Sequence, residues 1–324
     1  MSEHPSRPAS TEHPVLSVER TGHVATVFLD RPEKRNAMDM AFFTELPEVM
    51  GELGADEEVR AVVLAARGPA FSVGLDLKAM AGLAGKGLAG EGPAGEGFAG
   101  EGPAGEGLAR GADGELGPPS QAHRPPSQAP LPPSQARLAM RTLGSIRSLQ
   151  SSISSVAECP KPVVAAVHGW CIGGGVDLVS ACDIRLAAAD AVFSVRETRM
   201  AMVADLGSLQ RLPLVLPLGR VAELAFTGRD VDAAFAERIG LVNAVYDDAK
   251  AVLAAAHELA EEIAANSPLA VQGTKEVLSA AHRGRVRAGL EYVAAWNAGQ
   301  LRSHDLTEAV TAFFEHRPPR FTGE

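Results

Sequence analysis

The chain has 324 residues, 46% of them hydrophobic, and carries a formal net charge of −10 at pH 7. This is enough apolar sequence for one large domain or two smaller ones. The acidic balance, with a pI near 5.4, argues against nucleic-acid binding, which usually needs a basic face. No apolar run reaches the roughly 18 residues that a membrane span requires, and the three cysteines lack CxxC spacing. We therefore expect a cytoplasmic protein with no nucleic-acid, membrane or metal partner.

The N-terminal part of the sequence predicts a hairpin, a helix and a buried strand, in that order. Residues 15–30 alternate between apolar and polar and break at Gly22, which indicates a β-hairpin. A polar loop follows at 31–36. Helical spacing then covers 37–53, and the apolar run at 59–66 is typical of a buried strand.

Two stretches have a composition that cannot form a core. Residues 1–14 lack the apolar centre of a secretory signal, so we expect a disordered tail there. From 82 to 136 the chain repeats GPAGE and its variants, and then PPSQA. Such residues bury too little surface to offset the entropy of ordering them. We predict a low-complexity, disordered insertion within a core that spans 15–228, with an interaction segment as the functional alternative.

The second half of the chain alternates strands and helices and then becomes mainly helical. The alternation implies an α/β architecture with parallel strand pairing. The region 229–324 is predicted to be helical apart from a strand at 241–246, with one helix beginning at Pro268. The elements expected before this region are a helix at 138–157, strands at 163–169, 184–189 and 191–195, and a helix at 173–181.

Three acids occur in an otherwise apolar segment that begins with three glycines. Asp177 follows the run Gly173–Gly175, and Glu197 and Asp205 come later in the segment. A buried carboxylate is costly unless it is paired, hydrogen-bonded or protonated, so the group suggests a proton-transfer site. Taken singly, each acid also has a structural explanation. Asp177 could interact with a helix dipole, Glu197 could be exposed, and Asp205 could cap the next segment.

Two glycine turns could aim backbone N–H groups into one cavity. Gly74 precedes Leu75 in FSVGLDL, and Gly174 occupies the corresponding place in CIGGGVD. Two such donors form an oxyanion hole, and each is worth roughly 10²–10³ in rate. On spacing alone, a triple glycine is also compatible with a simple turn. Structural roles are expected for three nearby polar residues: Asp76, Asp183 and His168.

Eight segments of the chain, which are named below, resemble the crotonase, or enoyl-CoA hydratase/isomerase, superfamily and occur in the order typical of that superfamily. They extend over roughly residues 15–300. The resemblance implies a spiral of ββα units followed by a C-terminal helical region that trimerises, with trimers that can pair into hexamers. Tyr292 and Trp296 share one helix face there and are expected to pack on their own core or on a neighbouring subunit. The segments are RPEKRNAM, FSVGLDL, KPVVAAVHGWCIGGGVDLVSACDIRLAA, FSVRE, LQRLP, ELAFTGR, AERIGLVNAVY and SPLAVQGTKEVL.

The resemblance also implies an acyl-CoA thioester substrate, with coenzyme A as part of that substrate and no separate cofactor. The thioester oxygen would lie between the N–H groups of Leu75 and Gly174. Ordinary surface charge and core packing are the alternatives for several of the binding residues. The candidates for substrate or CoA binding are Lys34, Arg35, Gly74, Gly173, Met200 and Met202.

Within the superfamily, the residues at the positions of these three acids differ between enzymes that catalyse different reactions. Hydratases usually carry glutamates at the positions of Asp177 and Glu197 and a glycine at that of Asp205. The third acid and the segment YVAAWN most resemble the Δ3,5-Δ2,4-dienoyl-CoA isomerases of fatty acid β-oxidation. The alternatives are an enoyl-CoA hydratase and a non-catalytic acyl-CoA-binding or scaffold protein.

The isomerase reaction explains why a third acid is useful. A proton leaves C2 and another is added at C6, at opposite ends of a conjugated system. Glu197 and Asp205 would serve as base and acid, assisted by Asp177. Which of the two acts at C2 does not follow from the sequence.

Overall fold

A computed structural model describes residues 15–77 and 134–324 of the chain. The tail predicted over 1–14 and almost all of the insertion predicted over 82–136 lie outside these described residues. The strands are β1 (Leu16–Thr21), β2 (Val24–Leu29), β3 (Ala61–Ala66), β4 (Val163–Val167), β5 (Trp170–Ile172), β6 (Ile184–Ala188), β7 (Val192–Ser194), β8 (Val231–Asp232) and β9 (Ala244–Tyr246). The helices are α1 (Met40–Ala55), α2 (Gln135–Glu158), α3 (Gly174–Ser180), α4 (Ser208–Arg211), α5 (Leu218–Thr227), α6 (Ala233–Ile239), α7 (Ala249–Ala265), α8 (Pro268–Gln300) and α9 (His304–Phe314).

A sheet with the strand order β1-β2-β3-β4-β6-β9 forms the centre of the fold. The first two strands pair antiparallel, which confirms the predicted hairpin. All the later neighbours pair parallel, which confirms the α/β architecture. A second, smaller sheet has the order β5-β7-β8. The sequence pattern does not predict β5, because its three residues directly precede the glycine turn and carry no alternation.

The two faces of the main sheet bury separate sets of side chains. Along β3, Val62 and Leu64 face the larger core cluster, whereas Val63 lies in the cluster under α7. Helix α7 contributes Ala256 and Ala260, whose small side chains allow it to lie close to the strands. Strand alternation therefore sends apolar residues to both faces, as expected for a parallel sheet covered on each side.

Several predicted boundaries differ from the structure by two or three residues; α1, for example, covers Met40–Ala55 rather than 37–53. Helix α2 begins at Gln135 rather than Leu138, because the hydroxyl of Ser134 accepts a hydrogen bond from the N–H of Arg137 and caps the helix. In the mainly helical region after residue 228, the predicted strand is present as β9, which joins the main sheet, and α7 packs on that sheet. Within the described ranges, no helix has the length and apolarity needed to cross a membrane.

Helix α8 is attached to the sheet by a buried lysine. The ammonium group of Lys275 donates to the carbonyl of Lys161 at 2.9 Å and to Oδ2 of Asp183 at 2.7 Å. The same carboxylate accepts a hydrogen bond from the N–H of Val163 at the start of β4. Asp183 thus has the structural role that was expected, and it fixes α8 relative to the sheet.

Replacing Lys275 with methionine should destabilise the protein by about 2 kcal/mol, because the carboxylate of Asp183 loses its cation and a buried carbonyl loses its donor. Urea unfolding measures this change. Lys250→Met, at an exposed position on α7, is the matched control and should change the free energy of unfolding by less than about 0.5 kcal/mol. Equal stability of the two variants would contradict the anchoring role of Lys275.

Candidate active site

The turn that carries the Leu75 N–H is built on a buried asparagine in the 31–36 loop. The side-chain amide of Asn36 donates to the carbonyls of Arg67 and Ala70, each at 2.8 Å. The hydroxyl of Ser72 donates to the carbonyl of Asn36 at 2.8 Å and accepts from the N–H of Gly74 at 3.1 Å. This network fixes the backbone immediately before Leu75.

Glycine is required at the position before Leu75. Gly74 has φ +85°, and a Cβ atom there would lie 2.8 Å from the carbonyl oxygen of Ile172. The same hypothetical Cβ would lie 3.3 Å from the nitrogen of Gly174, so the two glycine turns are in contact. A side chain at Gly74 would push them apart.

The second turn carries the Gly174 N–H at the first residue of α3. Gly173 precedes it with φ +53°, and its own N–H donates to the carbonyl of Ser194 at 2.9 Å. A Cβ atom at Gly174 would lie 3.9 Å from the nitrogen of Leu75. Among the described residues, neither the Leu75 N–H nor the Gly174 N–H has an acceptor. The structure thus places the two predicted oxyanion donors side by side and available.

Asp177 is buried on α3 and is held by the next helix. Its Oδ1 accepts a hydrogen bond from the N–H of Ser208 at 2.6 Å. Burial raises the pKa of Asp177 to about 6, while Ser208 and the positive charge of Arg211 act in the opposite direction. The guanidinium of Arg211 is itself buried, where it donates to the hydroxyl of Ser154 at 2.8 Å.

Glu197 lies at the start of a short 3₁₀ helix, with its carboxyl group against the glycine turn. A Cβ atom at Gly173 would lie 3.3 Å from Oε1 of Glu197. Its Oε2 is buried and has no hydrogen-bond partner within the described part of the chain. Burial raises the pKa of Glu197 to about 8, and the negative charges of Asp177 and Asp205 add to the effect.

Asp205 is held from two helices. The side-chain amide of Asn297 on α8 donates to Oδ2 of Asp205 at 2.7 Å, and that of Gln150 on α2 donates to its backbone carbonyl at 2.7 Å. Burial raises the pKa of Asp205 to about 6, and the charge of Asp177 contributes. The hydrogen bond from Asn297 opposes the rise, because it stabilises the charged form.

The three acids form one electrostatic unit. The charge of Asp177 raises the pKa of both Glu197 and Asp205, and such effects are strong only at short range. Between about pH 6 and pH 8 the pair Glu197 and Asp205 therefore retains one proton. One carboxyl group can then accept a proton while the other donates one.

The remaining predicted residues lie around this centre. Lys34 and Arg35 are exposed on the loop that supports Leu75, and the carbonyl of Arg35 accepts from the N–H of Val73. Met200 and Met202 are half-buried just after Glu197. The expected structural roles of two other residues agree with their contacts. His168 bonds through Nε2 to the carbonyl of Gly68 at 2.8 Å, and Asp76 lies 3.7 Å from Arg31.

The sequence pattern does not identify the groups that hold the acids. Asn297 is the last residue of the segment YVAAWN, but nothing within that segment indicates its role. The available signal was a polar residue on an apolar helix face, four residues after Val293, which is also buried. The other missed residues are Gln150, Ser208 and Arg211.

Comparison with known proteins identifies the family. The family model described as enoyl-CoA hydratase/isomerase matches residues 19–90 and 140–324. The chain belongs to the enoyl-CoA hydratase/isomerase family. A crystal structure of an enoyl-CoA hydratase/isomerase from Pseudoalteromonas atlantica T6c matches with a TM-score of 0.71 and 25% identity, over 95% of this chain and 100% of that one. The expected crotonase fold is thereby confirmed.

Two relatives that match nearly the whole chain are named as dienoyl-CoA isomerases. The chain is 37% identical to the mitochondrial Delta(3,5)-Delta(2,4)-dienoyl-CoA isomerase of Dictyostelium discoideum, over 96% of this chain and 92% of that protein. It is 35% identical to the peroxisomal Delta(3,5)-Delta(2,4)-dienoyl-CoA isomerase of Arabidopsis thaliana, over 94% of this chain and 96% of that protein.

The Glu197 carboxyl group should make stability depend on pH. Its pKa is about 8 in the folded chain against an ordinary value of 4.5, so the folded state binds the extra proton between these values. This group therefore lowers stability as pH rises from about 4.5 to 8. Glu197→Gln should remove that loss. The change that this substitution makes in the free energy of unfolding should be roughly 2–4 kcal/mol more stabilising at pH 8 than at pH 5.

Thermal or urea unfolding at both pH values measures the gain. Glu52→Gln, on the exposed side of α1, is the matched control and should show no pH-dependent difference. The burial and charge effects assigned to Glu197 are refuted if both variants respond alike.

Proposed function

We propose that this enoyl-CoA hydratase/isomerase family member converts 3,5-dienoyl-CoA thioesters to 2,4-dienoyl-CoA thioesters in fatty acid β-oxidation. The observation that carries the proposal is the third carboxyl group, Asp205, held beside Asp177 and Glu197. The Dictyostelium and Arabidopsis relatives named above support the same reaction.

The two amides supply the electrophilic part of the reaction. The N–H groups of Leu75 and Gly174 bind the thioester oxygen and stabilise the negative charge that develops there as C2 loses its proton. Because both groups belong to rigid turns, they need no rearrangement when the enolate forms. Gly74 and Gly173 contribute by leaving room for the thioester.

Glu197 and Asp205 move the protons. The ionised member of the pair takes the proton from C2, the electron pair shifts through the conjugated system, and the protonated member gives a proton to C6. The substrate neither gains nor loses electrons or atoms overall, so coenzyme A is needed only as part of the thioester. Proton exchange between the two carboxyl groups then restores the starting state.

Asp177 acts on the pair through its charge. It is anchored by Ser208 and lies near Arg211, which favours its ionised form. Its negative charge raises the pKa of the other two acids, which keeps one proton on the pair near neutral pH.

Further features belong to this proposal. Lys34 and Arg35 are suited to bind CoA phosphates, and Met200 and Met202 to line the acyl pocket.

The proposal includes a homo-oligomer, either a trimer or a hexamer. Its interface would cover the stacked rings of Tyr292 and Trp296, whose centroids are 6.5 Å apart. These two residues are 70% and 50% exposed in the single chain. The cytoplasmic location stays a prediction, since the two relatives named are mitochondrial and peroxisomal.

Mixing the protein with a 3,5-dienoyl-CoA should produce the ultraviolet absorbance of the conjugated 2,4-dienoyl thioester. Asp205→Asn should lower kcat by about 10²–10⁴, the usual contribution of an acid–base group, with little change in acyl-CoA binding. Asp247→Asn, at an exposed position, is the control and should retain full activity. Rapid hydration of crotonyl-CoA without isomerisation would instead indicate a hydratase, and binding without turnover a non-catalytic protein.

The rate of isomerisation should depend on pH as a bell. Below about pH 6 both Glu197 and Asp205 are protonated and no base is present, whereas above about pH 8 both are ionised and no acid is present. Initial rates between pH 5 and pH 9.5, at substrate concentrations well below KM so that they give kcat/KM, measure the two limbs. A rate that rises steadily to pH 9.5 would be inconsistent with a shared proton.

A further inference from the structure

The buried side-chain amide of Asn297 joins helix α8 to the loop that carries Asp205. It lies on α8 and is 1% exposed, with both of its side-chain hydrogen bonds directed into the loop that carries Asp205. The amide donates to the carbonyl of Val203 at 2.8 Å and to Oδ2 of Asp205 at 2.7 Å. A single NH₂ group thus fixes both the backbone and the carboxyl group of this loop.

We propose that Asn297 is a positioning residue for the isomerisation, and that it holds Asp205 in its charged form and in one orientation between the loop and α8. This inference rests on the function proposed above. An amide N–H is a donor only, so it bonds well to a carboxylate oxygen and less well to a protonated carboxyl group. Asn297 therefore selects the protonation state of Asp205 as well as its direction.

The other groups around Asp205 do not provide this stabilisation. Asp177 on α3 is an acid whose negative charge opposes the ionisation of Asp205. Glu197 on the 3₁₀ helix has the higher pKa, so it is still protonated and uncharged over the range in which Asp205 ionises. Helix α2 presents Gln150, which bonds to the backbone carbonyl of Asp205 and to that of Leu290. Arg211 on α4 acts on Asp177 instead.

Two more charged side chains on α2 and α8 are not among the groups that shift the pKa of Asp205. Arg147 on α2 and Glu291 on α8 form an ion pair, and each side chain is about half exposed. Among the described residues that act on Asp205, Asn297 is the one whose side chain stabilises its negative charge.

Asn297 and Gln150 form a natural pair for comparison. Both are buried amides, both lie on long helices, and both donate to Asp205 over the same distance. They differ in the atom that they reach, because Asn297 bonds to the carboxylate and Gln150 to the main chain. Removing either one loosens the loop, but only removal of Asn297 should change how Asp205 titrates.

The pH profile of kcat/KM, which reports the pKa values of the free enzyme, tests this difference. In Asn297→Ala the acidic limb should move up by about one pH unit, so that kcat/KM falls about threefold at pH 6.5 and about tenfold at pH 5, and the bell narrows. The alkaline limb and KM should change little. Gln150→Leu should lower the rate by a similar factor at every pH without moving the acidic limb.

A uniform loss of rate in Asn297→Ala, with the limbs unmoved, would overturn the proposal. If the alanine variant does not fold, Asn297→Ser serves in its place. Its shorter side chain does not span the distance to the carboxylate, and the same shift of the acidic limb is expected.

A second measurement does not depend on isomerase activity. Infrared titration of the protonated-carboxyl band, with the spectrum of Asp205→Asn subtracted, follows the Asp205 group directly. Its midpoint should lie near pH 6 in the unaltered chain and about one unit higher in Asn297→Ala. An unchanged midpoint refutes the role of Asn297, whereas a shifted midpoint in a protein that isomerises no dienoyl-CoA refutes only the proposed function.

Discussion

Everything at this site depends on the contact between two glycine turns. Segments 70–75 and 168–174 run alongside each other, and hydrogen bonds join Phe71 to His168 and Ser72 to Trp170. At the end of this pairing the chains are so close that a Cβ atom at Gly74 would overlap the carbonyl of Ile172. The absence of that side chain is what allows the N–H groups of Leu75 and Gly174 to lie together.

Burying the three acids near this contact lowers the stability of the folded chain. Three carboxyl groups share a buried region, and burial is the largest cause of the raised pKa in each of them. The chain counters this with specific partners for two of them, Ser208 for Asp177 and Asn297 for Asp205. Within residues 15–77 and 134–324, Glu197 has no comparable donor at Oε2, which fits its pKa being the highest of the three. The tension between burial and charge is what leaves a transferable proton near neutral pH.

The sequence predicted the parts of the fold that depend on local pattern. Alternation and apolar runs located the hairpin and the buried strands, and the glycine runs located both amide turns. It did not reveal β5, whose three residues pair with β7 rather than with a sequence neighbour. Nor did it identify Asn297, because its partner Asp205 lies 92 residues earlier and no local pattern links them. Residues that act through tertiary contacts leave only a weak trace in the sequence, here a polar side chain on an apolar helix face.

The separation of Asn297 from Asp205 along the chain has a consequence for biogenesis. A ribosome completes both amide turns and all three acids well before it adds the helix that carries Asn297. Until α8 docks, with Lys275 fixed to the sheet, nothing from that helix reaches the loop around Asp205. The order of translation therefore places the docking of α8 after synthesis of the sheet and the acids, and the hydrogen bond from Asn297 to Asp205 forms only at that step.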